Sequence, residues 1–499
     1  MRTECPDGLN QPLSIVVVGA SGDLARKKTF PALFALFCQE MLPDDFAIFG
    51  FARSAMSRED FRKHITANLT CRYVPGESCA EKMNAFLERC FYVQGQYKSS
   101  ESFVNLQKEM RKVEKADKVN RLFYMAIPPS IFVDVGRAIS EAGFIRCGAC
   151  TPWSRIVVEK PFGRDRASSD LMVEEMAKVF SESQTFRIDH YLGKEVIQNL
   201  MVLRFANLIF EPIWNREYIK SVSITWQEDL SVEGRAGYFD HYGIIRDVIQ
   251  NHLLQIMSLV AMEPCTKMDA GHIGNQKVRV LRSIAPLDLE DVVVGQYTSG
   301  RFQGRDYAGY LDDEMVPSDS ITPTFGAVVL KVENERWKGV PFFISAGKGL
   351  SCRQTEICIR FREVNKSIFE SYGSVPAPNK LVIRIQPDES IILSVANKVP
   401  GMGMRIAESA LDLRYTDAFD ELIPDAYESL ILDVIRGDKS LFIRKDELAA
   451  AWNIFTPILH KLEEERIKPE PYLFGSHGPQ EGLQRLKDRY CNVDVGDGE

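Results

Sequence analysis

The sequence predicts an α/β Rossmann-type dinucleotide-binding domain followed by a larger α+β domain with a mainly antiparallel sheet. Three observations support this prediction. A strand-like run near the N-terminus leads through a glycine-rich turn into a helix-like run, which is the local context of a dinucleotide site. Helix-like and strand-like segments then alternate over the first 180 residues, whereas strand-like segments follow one another from residue 221. Because 499 residues exceed one compact core, we predict two domains, 1–180 and 181–499.

The composition is that of an ordinary globular protein, with 45% hydrophobic and 26% charged residues. The formal net charge of -8 argues against a nucleic-acid partner and offers no attraction to a membrane surface. No apolar run approaches the roughly 20 residues of a membrane span. Met1 to Pro12 lack the patterns of a secretion signal or transit peptide. We therefore predict a cytoplasmic protein, with no membrane and no nucleic-acid partner.

The cysteines are eleven in number and scattered along the chain. An odd count in a large chain favours free thiols in a reducing compartment. Cys147 and Cys150 form the one CxxC pair, and no second Cys/His pair stands nearby to complete a zinc site. The sequence therefore predicts no metal.

The first strand is the β-branched run Leu13–Val18, which is typical of a strand buried on both faces of a parallel sheet. The turn that follows is rich in small residues: Gly19, Ala20, Ser21, Gly22, Asp23, Leu24 and Ala25. Its glycines would let the backbone approach a pyrophosphate, whose charge the helix start would favour. The spacing G-x-x-G-x-x-A departs from G-x-G-x-x-G, and a purely steric need for glycine would explain it equally well.

The second predicted strand, 46–51, ends close to Arg53. This is the position from which a nucleotide-binding domain normally contacts the adenine ribose, with Asp or Glu for NAD. The planar guanidinium of an arginine suits a 2'-phosphate instead. The sequence therefore favours NADP over NAD, although a solvated surface arginine is the alternative.

Two further strand ends fall at the ligand-binding edge of the predicted sheet. Strand 122–127 runs into Pro128, and strand 156–158 runs into Glu159 and Lys160. Ligands bind beyond the carboxyl ends of strands in open α/β sheets. Lys160 could therefore bridge a cofactor and a substrate, and without its neighbours a solvated strand-end lysine would be equally plausible.

The pattern of predicted secondary structure changes from Ser221 onward. Strand-like runs are predicted at 221–228, 327–333, 342–346, 356–361, 380–385 and 390–395, and helix-like runs at 243–262, 426–436 and 445–463. Runs of strands with few intervening helices are typical of an antiparallel α+β domain.

The densest chemical pattern is Arg187–Glu195, where an extended run gives way to a helix-like run. It holds a carboxylate, an imidazole, a phenol and an ammonium group: Asp189, His190, Tyr191 and Lys194. Clustered cations with imidazole and phenol donors suit a dianionic phosphate, and a helix start suits any anion. A charged surface loop is the alternative interpretation.

His252 lies within an apolar helical pattern formed by residues such as Val248 and Ile256. A buried histidine needs a hydrogen-bond partner, and a satisfied core histidine is the default interpretation. If Asp189 were the partner, the carboxylate would orient the imidazole and stabilise its cation, and His252 would act as a general base.

These residues together resemble the glucose-6-phosphate dehydrogenase family over essentially the whole chain. The matching motifs are Gly19–Ala25, Glu159–Gly163, Arg187–Glu195, Gly243–Asp247 with Asn251 and His252, Val332–Trp337, Gly347 with Lys348, and Ile454–Pro457. The dinucleotide turn and Lys160 would match many sugar oxidoreductases, whereas Arg187–Glu195 is specific to this family.

The resemblance implies the first step of the oxidative pentose phosphate pathway, the oxidation of glucose 6-phosphate at C1 to 6-phosphoglucono-δ-lactone. His252 would be the general base and Asp189 its orienting partner, and hydride would pass to NADP. The resemblance implies substrate contacts from Lys160, His190, Tyr191, Lys194, Glu228, Asp247, Lys348, Arg353 and Gln386. It implies cofactor contacts from Gly19, Ser21, Gly22, Asp23, Leu24, Arg53, Tyr97, Pro128 and Lys160.

The resemblance also bears on assembly and on a second nucleotide. Some family members hold a structural NADP, but here Ile392, Ser394 and His477 replace their Tyr, Lys and Arg. We therefore predict that this second NADP is absent, although Arg384 remains. The family implies a homo-oligomer, a dimer or a dimer of dimers. Three acidic residues are plausible tetramer contacts or a solvated helix face: Glu421, Asp425 and Glu428.

Two other functions are compatible with parts of the pattern. A different NAD(P) oxidoreductase, of the glucose–fructose or inositol dehydrogenase class, would share the nucleotide fold without a phosphate-binding role for Lys194. A non-catalytic NADP-sensing protein would need neither His252 nor Asp189. The joint presence of base, partner and phosphate cluster argues against both.

Overall fold

The computed structural model describes residues 11–74, 76, 78–145, 152–364, 368–369 and 376–490. Cys147 and Cys150, and the final tail from residue 491, lie outside these residues. The chain divides into two compact units. The first contains residues 1–193, 266–274 and 422–449, and the second contains residues 194–265, 275–421 and 450–499. The predicted domain boundary at 180 and 181 stays a prediction.

The first unit is built on a six-stranded parallel sheet with strand order β3-β2-β1-β4-β5-β6. Its strands are β1 (Leu13–Val18), β2 (Phe46–Ala52), β3 (Cys90–Gln94), β4 (Asn120–Met125), β5 (Ser154–Val158) and β6 (Thr185–Arg187). The strand order reverses next to β1, where ligands bind in doubly wound folds. β1 is buried over its whole length, as a β-branched strand covered on both faces should be.

Helices follow the strands of this unit, as the alternation in the sequence predicts. They are α1 (Phe30–Cys38), α2 (Arg58–Thr66), α3 (Ser78–Glu88), α4 (Ser100–Val113), α5 (Phe132–Glu141), α6 (Arg166–Ala177) and α12 (Ala426–Arg436). α12 comes from the distant chain segment of this unit and packs on α1. A π-helical stretch, Ala25–Thr29, precedes α1.

The second unit is built on a nine-stranded sheet with strand order β16-β15-β14-β13-β7-β12-β11-β8-β17. Its strands are β7 (Ile219–Gln227), β8 (Val292–Thr298), β11 (Phe325–Lys331), β12 (Pro341–Gly347), β13 (Gln354–Phe361), β14 (Lys380–Gln386), β15 (Ser390–Lys398), β16 (Ile406–Arg414) and β17 (Glu470–Leu473). β9 (Gly300–Phe302) and β10 (Arg305–Tyr307) form a separate hairpin. Only β7 with β12 and β8 with β17 pair in parallel within the described sheet, so the prediction of a mainly antiparallel sheet is confirmed.

The helices of this unit are α7 (Glu195–Phe205), α8 (Ala236–Asp240), α9 (Leu254–Ala261), α11 (Tyr415–Ala418) and α14 (Gln480–Arg489). α10 (Ala270–Arg282) and α13 (Lys445–Glu464) contribute residues to both units. The nine residues Ile245–Leu253, just before α9, are a π-helix. In the part of the chain that the structure describes, no helix combines the length and apolarity needed to span a membrane.

Two predictions made from the sequence are wrong in the first unit. Cys71 and Cys79 are paired as a disulfide, whereas we expected free thiols throughout. Glu428 is 4% exposed, and it accepts hydrogen bonds from Tyr73 and Arg72. It therefore belongs to the interior of this unit and is neither a solvated face nor a tetramer contact.

Candidate active site

The glycine-rich turn leaves β1 with Gly19 in the left-handed region, at φ +91°. A Cβ at this position would overlap the carbonyl oxygen of Ala126, so only glycine fits. The turn is closed by the amide of Gly22, which donates to the carbonyl of Gly19 at 2.9 Å. The turn leads directly into a continuous helical segment, residues 23–38, and the amides at such a helix start suit a pyrophosphate.

Asp23 lies in the first turn of that helical segment, on the outer surface. Its carboxylate pairs with Lys27 and Arg26, each at 2.9 Å. The hydrogen bond from Lys27, followed by that from Arg26, lowers the pKa of the exposed Asp23 carboxyl. Its side chain is therefore held by its own helix.

Arg53 follows the carboxyl end of β2 and is exposed. Its guanidinium lies 5.2 Å from the ring centroid of Tyr97, a cation–π distance. Nearby, the hydroxyl of Ser54 donates to the hydroxyl of Ser21 at 3.3 Å. A cation resting on an aromatic ring beside two hydroxyl groups can bind a phosphate group of a nucleotide.

Pro128 and Lys160 lie at the same edge of this sheet as the turn. The register pairs Val18 with Met125, and Met125 with Val158, so the three strands end side by side. Pro128 is exposed and Lys160 is half-buried. The parallel sheet therefore brings residues from three strand ends to one edge, as the sequence predicts.

Asp189, His190 and Tyr191 follow β6 in a tightly held loop. Asp189 is 2% exposed and Tyr191 is 4% exposed. The backbone amide of Tyr191 donates to the Asp189 carboxylate at 3.0 Å, which fixes the direction of that carboxylate. The loop is anchored at its start, because Arg187 pairs with Glu182 at 2.8 Å.

The ring of His190 is stacked on Tyr427, which comes from α12 of the same unit. The ring centroids are 6.0 Å apart and the planes differ by 10°. Tyr427 is buried, and its burial, followed by the nearby carboxylates of Glu159, Asp425 and Asp189, raises the pKa of its hydroxyl. Sequence reasoning missed the place of Tyr427 beside His190. The two residues are 237 positions apart, and the helix that carries Tyr427 has no motif that points to a binding site.

In the second unit, Lys194 is the residue that precedes α7. Its Nζ donates to the Gln386 side-chain oxygen at 3.3 Å. Gln386 is the last residue of β14, on the less buried side of that strand. The structure thus brings together two predicted substrate residues that lie far apart in the sequence.

Glu228 and Lys348 form a second pair in this unit. They follow Gln227 and Gly347, which are register partners at the ends of the parallel strands β7 and β12. Their Oε2 and Nζ atoms are 2.5 Å apart, and both side chains are largely buried. A largely buried carboxylate and ammonium can bind the hydroxyl groups and the phosphate oxygens of a sugar phosphate.

His252 is 3% exposed and lies within the π-helix Ile245–Leu253. Its backbone amide donates to the Asn251 side chain at 2.6 Å, and the Asn251 side chain donates to the Arg246 carbonyl at 3.2 Å. π-helical segments often mark functional positions, because the wider turn re-aims side chains. Sequence reasoning placed His252 on an ordinary helix and did not predict this π-helix.

Asp247 is half-buried in the same π-helix, and Arg353 is exposed just before β13. The pKa of the Tyr238 hydroxyl is raised, first by burial and then by the nearby Asp247 carboxylate. The predicted site residues therefore fall into two sets. Lys160, Asp189, His190, Tyr191 and the nucleotide residues belong to the first unit. The second unit contains Lys194, Glu228, Asp247, His252, Lys348, Arg353 and Gln386.

Comparison with protein families gives two matches that together span most of the chain. Residues 16–199 match "Glucose-6-phosphate dehydrogenase, NAD binding domain". Residues 201–492 match "Glucose-6-phosphate dehydrogenase, C-terminal domain". Both sets of predicted site residues therefore lie within segments typical of one family.

Individual relatives agree with these matches. The chloroplastic glucose-6-phosphate 1-dehydrogenase of Spinacia oleracea is 52% identical over 94% of this chain and 81% of its own length. A cytoplasmic glucose-6-phosphate 1-dehydrogenase of Arabidopsis thaliana is 47% identical over 95% of this chain and 91% of its own. A solved glucose-6-phosphate dehydrogenase in complex with glucose 6-phosphate is 42% identical, with a TM-score of 0.90 over 97% of this chain and 99% of that chain.

Proposed function

The chain belongs to the glucose-6-phosphate dehydrogenase family, and from that premise we propose that it oxidises glucose 6-phosphate at C1, yielding 6-phosphoglucono-δ-lactone, with NADP as hydride acceptor. This is the first step of the oxidative pentose phosphate pathway. The observation that carries the proposal is the buried loop after β6, in which Asp189 is fixed by the Tyr191 amide. It presents a carboxylate, an imidazole and a phenol within three residues.

His252 is proposed as the general base that takes the proton from the C1 hydroxyl. Imidazole is the side chain whose ordinary pKa lies near neutrality, which suits a general base in this step. The Asp189 carboxylate is proposed to orient that imidazole and to stabilise its cation. Loss of the hydroxyl proton and of hydride from C1 leaves the carbonyl of the lactone.

The substrate phosphate is proposed to bind to His190, Tyr191, Lys194 and Lys348, with Arg353 near. These groups supply the ammonium, imidazole and phenol donors that a dianion needs. The sugar hydroxyls are assigned to Glu228, Asp247 and Gln386. Support comes from the second unit, where Lys194 contacts Gln386 and Lys348 contacts Glu228. Two of the proposed phosphate ligands therefore lie beside a proposed hydroxyl ligand.

The first unit fits a dinucleotide at its glycine-rich turn, because Gly19 turns the chain at a positive φ directly before the start of a helical segment. When bound, the dinucleotide supplies the hydride-accepting ring. Gly19, Ser21, Gly22, Asp23 and Leu24 would hold its pyrophosphate region. Tyr97 and Pro128 would line the site, and Lys160 would touch both ligands.

The preference for NADP over NAD is proposed from Arg53. Its guanidinium is exposed beyond β2 and rests on the Tyr97 ring. With Ser21 nearby, this cation would bind the 2'-phosphate that distinguishes NADP. No metal is needed in this scheme, because the base and the hydride acceptor supply the chemistry.

A second, structural NADP is proposed to be absent. The strand register pairs Val382 with Ile392 and Lys380 with Ser394, which places Ile392 and Ser394 on the same face of the sheet as Arg384. Ile392 is diagonal to Arg384, whereas Ser394 is the register partner of Lys380, and neither of these two side chains offers a charge to a phosphate. Titration of a His252→Asn variant with NADP should give one bound equivalent per chain, and two would refute this.

The protein is proposed to be a homo-oligomer, either a dimer or a dimer of dimers. The outermost strand β16 is exposed along most of its length, and Leu411 and Leu413 are 61% and 42% exposed on it. Exposed apolar edge strands are normally covered by a partner. Analytical ultracentrifugation of wild type and Leu411→Lys would test this, since a monomeric wild type would overturn it. The predicted cytoplasmic location stays a prediction, because relatives include chloroplastic and cytoplasmic proteins.

One assay separates this function from the alternatives. NADP reduction is followed with glucose 6-phosphate, then with glucose, and then with NAD replacing NADP. We expect rapid turnover with glucose 6-phosphate and NADP and far slower turnover with glucose. Equal rates on the two sugars would favour another sugar oxidoreductase, and binding of NADP without turnover would favour a sensing protein.

A further inference from the structure

Tyr124 and Glu159 form a buried hydrogen-bonded pair in the first unit. Tyr124 lies in β4 and is 0% exposed, and Glu159 follows β5 and is 7% exposed. The Tyr124 hydroxyl donates to the Glu159 carboxylate. The two strands are parallel neighbours, with Tyr124 opposite Val157, so the pair lies close to the edge at which the strands end.

The groups facing Glu159 come from four elements. Tyr124 reaches it from β4, Lys160 is its neighbour in the chain, Asp189 approaches from the loop after β6, and Tyr427 approaches from α12. Two of these, Lys160 and Asp189, are site residues of the proposed function. Glu159 itself has no role in that function.

The ionisation of Glu159 is shifted toward neutral pH by these surroundings. Burial raises the pKa of this carboxyl to about 7. The Tyr124 hydrogen bond and the charge of Lys160 act in the opposite direction, whereas the charge of Asp189 acts with burial. A carboxyl group in this environment changes charge within the physiological range, beside a lysine that the proposed mechanism uses.

We propose that Tyr124 and Glu159 are positioning residues for the reaction, in which the ionised Glu159, held by Tyr124, restrains the Lys160 ammonium and sets the charge balance around Asp189. This inference rests on the proposed function. The physical reason is Coulombic, because a carboxylate attracts an adjacent ammonium group strongly where water is excluded. Tyr124 contributes by giving that carboxylate a fixed donor, which favours its charged form.

The test compares the pH dependence of kcat/KM for wild type, Glu159→Gln and Tyr124→Phe. Two groups, His252 and Glu159, must lose a proton in wild type, so log kcat/KM should fall with a slope near two at low pH. In Glu159→Gln the slope of log kcat/KM should fall to one. Above pH 8, kcat should drop about tenfold, which corresponds to about 1.4 kcal/mol. In Tyr124→Phe the slope should stay near two, while the acidic limb of the kcat/KM profile moves to higher pH. The reason is that loss of the Tyr124 hydrogen bond raises the pKa of Glu159.

Two further variants decide between positioning and mere structure. The double variant with both Tyr124→Phe and Glu159→Gln should have the same pH profile of kcat/KM as Glu159→Gln alone. The reason is that the Tyr124 hydroxyl acts through the Glu159 carboxylate. The matched control is Glu114→Gln, at the opposite end of the same sheet. Glu114 is also largely buried and accepts from Ser14 at 2.8 Å and Arg121 at 3.0 Å, and its variant should keep the wild-type pH profile.

The outcomes are distinguishable. If Glu159→Gln keeps the wild-type slope, or loses stability and activity with no change of slope, the inference is overturned while the proposed function stands. If Glu159→Gln does not fold, the pH profile of Tyr124→Phe decides instead. An acidic limb of kcat/KM that stays at the wild-type pH in Tyr124→Phe would then overturn the inference. A wild-type chain unable to reduce NADP with glucose 6-phosphate would overturn both.

Discussion

Lys348 Nζ lies 2.5 Å from Glu228 Oε2, with 16% and 17% of the two side chains exposed. The residues follow directly on Gly347 and Gln227, which are paired in the parallel register of β12 and β7. The contact therefore depends on the sheet and not on a flexible loop. Lys348 also lies 5.2 Å from the Trp226 ring centroid, which further limits its freedom to move.

The Lys348→Met variant should bind glucose 6-phosphate more weakly. The substitution removes a proposed phosphate ligand and leaves Glu228 without its partner in a largely buried place, which costs affinity of roughly 2–4 kcal/mol. Initial rates should show KM for glucose 6-phosphate raised at least about tenfold, with KM for NADP changed little.

Lys331→Met is the matched control for that experiment. Lys331 Nζ pairs with the buried Asp291 at 2.8 Å in the same unit, so its loss removes a comparable ion pair away from the proposed substrate residues. An equal rise of KM in both variants would mean that Lys348 acts through stability alone. An unchanged KM in Lys348→Met would contradict the phosphate assignment.

The His252→Asn variant should lose turnover while still binding substrate. Asparagine keeps most of the size of the buried side chain but cannot accept the proton, so kcat should fall by roughly 10²–10⁴-fold. Isothermal titration should show glucose 6-phosphate affinity within a few-fold of wild type. His272→Asn, which disrupts the exposed pair with Asp269 at 2.8 Å, should leave kcat unchanged; near-normal kcat in His252→Asn would exclude it as the base.

The Arg53→Ala variant should lose preference for NADP. Removing the cation that rests on Tyr97 takes away about 1–3 kcal/mol of charge-assisted binding to the 2'-phosphate. KM for NADP should rise roughly tenfold or more, with little change for NAD. Arg89→Ala is the control, since its guanidinium lies 4.5 Å from the Phe46 ring centroid at the other end of β2. Equal rises of KM for both cofactors would count against the assignment.

The architecture of the first unit follows from local patterns that the sequence displays. The strand predicted at Leu13–Val18 and the helix predicted at 426–436 have those bounds in the structure, because burial on both faces and a 3.6-residue period leave clear traces. Helix α3 was missed, since a helix with few buried residues has a weak period. The edge strand β16 was also missed, since it is exposed along most of its length and carries charged residues among its apolar ones.

Without the family resemblance, the candidate site could be predicted mainly where its residues adjoin in sequence. Asp189, His190 and Tyr191 stand together in one loop, and a motif exposes them. The stacking of Tyr427 on His190 and the pairing of Lys348 with Glu228 arise from chain segments that only the tertiary fold brings together. The apolar pattern around His252 predicts a helix but does not distinguish a π-helix from an α-helix, because the residues of the π-helix are buried on nearly every side.

The buried carboxyl of Glu159 should make stability depend on pH. Its pKa in the folded protein is about 7, against an ordinary value of 4.5. Between these values the folded state holds a proton that the unfolded state has lost, so the free energy of unfolding falls as the pH rises through this window. The contribution is fully present below about pH 4.5, lost above about pH 7, and at most roughly 3 kcal/mol.

Urea unfolding at pH 5 and pH 8 should therefore show a smaller loss of stability with rising pH in Glu159→Gln than in wild type. Asp433 has a pKa raised by burial to about 7 and acts in the same direction, but it is present in both proteins and cancels in their difference. Asp433→Asn should reproduce the sign of the change and serves as the positive control. An equal change in the free energy of unfolding between pH 5 and pH 8 in wild type and Glu159→Gln would contradict this prediction. It would mean that Glu159 stays ionised over this pH range, because relaxation of the unit or entry of water offsets the cost of burying its charge.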